Sequence, residues 1–158
     1  SNKIAEHAGA KVLDYSNYGN NGTRNFNSTS DNGRNFTDGK FGKGLVFDGV
    51  NDYVNVSNES NFDFERTNAF TLENWIKGKK SGFNPQTISK YNGVGGYYTY
   101  YGGNTGTAVL TIQSTSNAAN NIQVRGNTDV LDDTWHHVAF VYGGSSVASG
   151  IKIYVDGL

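Results

Sequence analysis

The chain has no cysteine. That removes disulfides, thiolate zinc sites and cysteine nucleophiles together. It has no methionine, so a processed product or an excised piece is expected rather than a primary translation product. Only 17% of residues are charged, against a usual share of about a quarter. The net charge is −1. Neither nucleic acid nor an anionic membrane finds an electrostatic footprint in such a balance. No apolar run approaches the ~20 residues of a membrane-spanning helix. There are three histidines and a single proline.

What the chain does have is glycine, amides, hydroxyls and rings. The 21 glycines mark turns rather than Pro-rich disorder, and 10 Tyr and 9 Phe can fill a real core. At 158 residues one domain is the default expectation.

Period-two patterning dominates. In "AFTLENWIKGK", Phe70, Leu72 and Ile76 share a face, with Asn74 as the odd member. Thr71, Glu73, Trp75 and Lys77 take the other face. In "WHHVAFVYGG", Val138, Phe140 and Tyr142 alternate with His137, Ala139 and Val141. "AVLTIQ", "NIQV" and "GIKIYVDG" repeat the pattern. Alternation over such segments predicts half-buried strands. Clusters such as "GGNTG", "NAANN" and "GGSSVASG" supply the breaks. No segment sustains a 3.6-residue period. The expected class is all-β, an antiparallel two-sheet jelly-roll sandwich. The last residues, "IKIYVDGL", read as a strand entering a turn, and the strand that completes the hairpin is expected beyond Leu158.

Several chemistries fail on spacing. Asp63 and Glu65 lie two apart, as paired carboxylates on a strand would, but Asn61 stands where a sandwich glucanase carries its first Glu. A solvated strand edge or turn is expected there. His136 and His137 point to opposite faces, so they cannot share an ion without a bulge. They are expected to pack beside Trp135, with a ring nitrogen bonded to a backbone carbonyl. No Gly-x-Ser-x-Gly run is present, and "GVGG" at 93–96 precedes no helix, so it reads as a hairpin turn. The chain is therefore expected not to be an enzyme. The sequons at Asn21, Asn27, Asn35, Asn55 and Asn58 carry little weight in a chain so rich in Asn, Ser and Thr.

Two segments remain. "GGYYTYYGG" puts Tyr97, Thr99 and Tyr101 on one face and Tyr98 and Tyr100 on the other. One set fills the core; the other serves cross-strand pairing or an aromatic surface of the kind sugars stack on. The second segment is "LDYSNYGNNGT" at 13–23. Counted from Asp14, its twelfth place is Asn25 rather than the bidentate Glu of a helix–loop–helix calcium site. An irregular oxygen-rich calcium loop stays open as a reading, beside a plain surface turn. Asp48 and Asp52 in "FDGVNDY" are expected to bond their own backbone amides.

Four motifs then line up in order. "VLDYSNYGNNGT", "GKFGKGLVFDGVNDYVNV", "FTLENWIK" and "TWHHVAFVY…IKIYVDG" resemble segments of laminin-G-like jelly rolls of the concanavalin A-like superfamily. The resemblance runs from about Val12 to the last residue. It implies one laminin-G-like domain over 1–158 that recognises glycans or proteins and is seldom catalytic. It also implies a structural Ca²⁺ held by Asp14 with Asn20 or Asn21. Asn74 departs from it, since the family usually has a small apolar residue there. The expected function is carbohydrate binding and adhesion outside the cell, on a cell surface or on a virion, with Trp75, Tyr98, Tyr100 and Arg125 as ligand-binding residues. An assembly or decoration module that contacts a partner protein or a second copy is the alternative. A sandwich glucanase is a remote third.

Overall fold

In the computed structural model the described residues are 11–26, 36–114 and 120–158. They form strands and two short 3₁₀ turns, all strand pairs are antiparallel, and no α-helix occurs among them. The all-β class is as expected. The described strands make four small sheets rather than two large ones. The chain divides into two compact units, Ser1–Asp63 and Phe64–Leu158.

In the first unit, β1 (Lys11–Val12), β2 (Gly22–Asn25) and β5 (Tyr53–Val56) form one sheet, in the order β1-β2-β5. β3 (Phe36–Asp38) and β4 (Lys43–Leu45) form a hairpin. The turn before β5 is built as expected: Asp48 Oδ1 accepts from the amides of Val50, Asn51 and Asp52, and the Asp48 amide donates to Asp52 Oδ2.

In the second unit, β7 (Gln86–Tyr91), β8 (Gly96–Tyr101), β9 (Thr107–Gln113) and β10 (Asn121–Asp129) form a four-stranded sheet. β6 (Ala69–Ile76), β11 (His136–Gly143) and β12 (Ile151–Val155) form a three-stranded one, with β11 in the middle. The inner faces are those the alternation marked. Tyr97, Tyr101, Leu110, Ile112 and Ile122 from one sheet join Phe70, Val138, Phe140, Tyr142 and Ile151 from the other in one apolar cluster. Aromatic rings knit its end: Phe70 lies 4.9 Å from Tyr97 and 5.5 Å from Tyr142 between centroids. Such tilted and edge-on pairs add to the area they bury.

The odd residue on the β6 inner face has a physical reason. Tyr101 is fully buried, and its hydroxyl donates to Asn74 Oδ1 at 3.3 Å. A buried hydroxyl without a partner is costly, and Asn74 supplies the partner that a small apolar residue could not. Burial, offset in part by Asn74 and Thr87, pushes the Tyr101 phenol up to about 12. The "GVGG" segment is a hairpin turn: Asn92 Oδ1 accepts from the amides of Val94 and Gly95. Gly96 closes it at φ +127, where a Cβ would run into the Lys90 carbonyl oxygen.

Candidate functional site

The outer face of the β7–β10 sheet follows from register. Tyr97, Thr99 and Tyr101 are buried, so Tyr98 and Tyr100 point the other way. One cross-strand row is Ser89, Tyr98, Thr111, Gln123; the next is Gln86, Tyr100, Val109, Arg125. The central positions Thr111 and Val109 are fully buried beneath their neighbours. The Gln123 amide donates to Thr111 Oγ1 at 2.8 Å. Tyr98 and Tyr100 lie 6.1 Å apart with nearly parallel rings, and Tyr91 continues the line 5.5 Å from Tyr98. Arg125 ends it. Its guanidinium lies 5.8 Å from the Tyr100 centroid, donating to Thr107 Oγ1 at 3.0 Å and to Tyr100 Oη at 3.4 Å. The surface is thus a row of half-exposed rings edged with amides and hydroxyls.

Three of the four expected ligand-binding residues meet here, and Trp75 does not. Asn74 and Tyr101 face each other across the core, so Trp75 and Tyr100 point to opposite outer surfaces. Trp75 sits over the β6–β11 pair, 5.3 Å from the His137 ring, and His137 Nε2 is 3.6 Å from Glu73 Oε2. Tyr91 is the residue that sequence reasoning missed. Its signal was the alternation of Ser89 and Tyr91 against Ile88 and Lys90, which needed the β7–β8 register to place it beside Tyr98.

In the first unit the loop after β1 is organised by Asp14. Its Oδ1 accepts the Ser16 amide, and its Oδ2 accepts the Ser16 hydroxyl and the Asn20 amide, each at 2.7 Å. Hydrogen bonds from the Ser16 side chain and then from the Ser16 and Asn20 backbone hold its carboxyl below the usual range. Asn21 Oδ1 accepts the Asp14 amide, and Asn20 Oδ1 accepts Asn61 Nδ2. Gly19 takes φ +66, which lets the turn close. Beside it lies an open cleft of about 400 Å³ with Val12, Leu13, Val54, Val56 and Phe62 among its lining residues. This arrangement does not fit calcium. The ion takes about six to eight oxygens, whereas one carboxylate with most of its lone pairs engaged, two occupied amide oxygens and a largely apolar cleft are what the loop presents. Asp14 is a turn organiser. Calcium or chelator is therefore expected to leave the melting temperature of the full chain unchanged, while Asp14→Ala lowers it. A rise with millimolar Ca²⁺ that Asp14→Ala abolishes would overturn this, since an ion that binds only the native state must stabilise it.

A family model described as the concanavalin A-like lectin/glucanases superfamily, of laminin G type, matches residues 48–158. The chain belongs to this superfamily. No curated protein and no solved structure matches it. The superfamily span takes in the tyrosine face, Trp75 and the "WHHV" strand, and leaves the Asp14 loop outside.

Within that span the histidines differ from expectation. His136 bonds carboxylates rather than a backbone carbonyl. Its Nδ1 is 2.7 Å from Asp156 Oδ2, and its Nε2 is 3.1 Å from Asp132 Oδ1 and 3.0 Å from Thr134 Oγ1. Asp156 Oδ1 also accepts the His137 amide. Asp156 takes φ 53 and Gly157 φ 86, the paired left-handed residues of a tight turn after β12. The clamp therefore ties the start of β11 to the end of β12. Its hydrogen bond to Asp156 raises His136 from its ordinary 6.5, against a smaller opposing effect of burial. The bond to His136 and the His137 amide lower Asp156; the Thr134 hydroxyl and amide, then His136, lower Asp132.

The signs give a window. A raised histidine contributes stability below its unfolded pKa and loses it as pH rises through the folded value; lowered aspartates contribute above their unfolded pKa and lose it as pH falls. The melting-temperature gap between the protein and His136→Gln is expected to be widest near pH 5–6 and to shrink toward pH 8 and below about pH 4. A gap independent of pH, read by thermal melts across that range, would refute the clamp.

Proposed function

We propose that the protein is a non-catalytic carbohydrate-recognition module, a two-sheet jelly roll displayed outside the cell or on a virion as part of a larger assembly. The observation that carries it is the outer face of the β7–β10 sheet, where Tyr91, Tyr98 and Tyr100 line up beside Arg125, Gln123 and Thr111. Rings present flat apolar area with a polar tip, which suits the CH-rich face and hydroxyl rim of a sugar. The amide and guanidinium donors give direction. A superfamily of lectins and glucanases makes a glycan the natural class of ligand.

Two further facts support binding over hydrolysis. The rows through Tyr91, Tyr98 and Tyr100 contain no carboxylate, the single acid of the neighbouring Thr107 row, Asp129, is bound by Lys80, and a retaining glycosidase works with two about 5 Å apart. Glu65 lies outside the strands, and its amide donates to Asn68 Oδ1 in a turn. A glycan array followed by calorimetric titration tests the reading. Binding to at least one sugar class is expected, and a folded sample that binds none ends it.

One observation favours a second reading. Trp75 and Tyr154 are exposed on the outer face of the β6–β11–β12 sheet, at 39% and 37%, in two adjacent rows: Trp75 opposite His137, and Tyr154 opposite Ala139. Exposed aromatics of this kind also suit a protein partner or a second copy. Light scattering separates the two: a strictly monomeric chain at high concentration argues against self-assembly.

A further inference from the structure

The three rows that hold Tyr91, Tyr98 and Tyr100 carry one charged side chain, and it is a cation. Ser89, Tyr98, Thr111, Gln123, Gln86, Tyr100 and Val109 are neutral, and so are Tyr91, Gln113 and Asn121 in the third row. Arg125 is exposed and makes no ion pair among the described residues. The nearest acid along β10, Asp129, lies beyond the register shift and is bound by Lys80. Arg125 is nonetheless held in place. Thr107 and Tyr100 each accept one of its N–H groups, and the Tyr100 ring lies under it. A guanidinium has five N–H donors in a planar fork, so donors remain for a ligand. Positioned and uncompensated, it is shaped for a planar or tetrahedral anion, which Arg binds through two parallel hydrogen bonds.

We propose that the glycan taken by this face is acidic. A carboxylate or sulfate on the sugar docks on Arg125 while neighbouring rings stack along Tyr100, Tyr98 and Tyr91. This rests on the carbohydrate reading above and narrows it to a substrate class. The protein as a whole is slightly acidic, so preference for an anion must come from this local site rather than from net charge.

Matched probes test it by calorimetry on the full chain at fixed ionic strength. Polygalacturonate is compared with its methyl ester, and dextran sulfate with dextran. The acidic member of at least one pair is expected to bind tenfold or more tighter, and the pair that shows the gap identifies carboxylate or sulfate. Arg125→Gln is expected to weaken acidic binding at least tenfold. Arg125→Lys, which keeps the charge but not the fork, is expected to fall between. Lys152→Gln, on the outer face of the other sheet, is the charge control and is expected to change nothing. Thermal melts confirm that each variant is folded. Equal affinity for acidic and neutral members, or an acidic preference that survives Arg125→Gln, overturns the inference and leaves carbohydrate recognition standing. Absence of binding to any probe or any array sugar overturns both.

Discussion

Phe140→Ala is expected to remove about 3–5 kcal/mol of stability, the cost of deleting a buried aromatic and leaving the space. Phe140 is fully buried at the middle of β11, the central strand of its sheet. It lies between Leu72 on β6 and Ile153 on β12 by register. Its ring is 6.5 Å from that of Tyr101 across the core. No glycine or small neighbour among these can move in to fill the gap. The melting temperature of the full chain should fall by about 10 °C or more. Phe140→Leu, which keeps most of the volume, should cost a fraction of that. A loss under about 1 kcal/mol for the alanine variant, measured by denaturant unfolding, would mean the two sheets do not share this core.

The second large effect concerns binding. Replacing Tyr98 and Tyr100 together by alanine is expected to weaken glycan affinity about a hundredfold, taking each stacked ring at about 1–1.5 kcal/mol. The two rings form one surface, so the double variant is more telling than either single one. Both are half-buried and stand outside the apolar core cluster, so the variant should fold. Trp75→Ala is the matched control: an exposed aromatic removed from the opposite surface, with affinity unchanged. If Trp75→Ala abolishes binding while the tyrosine variant retains it, the ligand lies on the other sheet.

Much of this was readable in the sequence because it depends on local alternation. The inner-face residues of β6, β8 and β11 follow from period two alone, and Tyr98 and Tyr100 are outward because Tyr97 and Tyr101 are inward. What alternation cannot give is which strands neighbour one another. Trp75 and Tyr98 both read as outward aromatics, yet their strands belong to different sheets. Tyr91 was invisible until the β7–β8 register put it next to Tyr98. The His136 clamp was missed for the same reason, since Asp156 is 20 residues away and meets it only through β11–β12 pairing. The Asp14 loop is a different case. An oxygen-rich sequence says that acceptors are present but not what they accept, and here Ser16, Asn20 and the loop's own amides reach them first.

The most direct test of a glycan site on this face is an amide NMR titration of the ¹⁵N-labelled full chain with the oligosaccharide that binds best on the array. Shifts clustered at Tyr91, Tyr98, Tyr100 and Arg125, saturating with the calorimetric affinity, are the expected result. Saturable shifts centred instead on Trp75, His137 and Tyr154, or on the Asp14 loop, would contradict it.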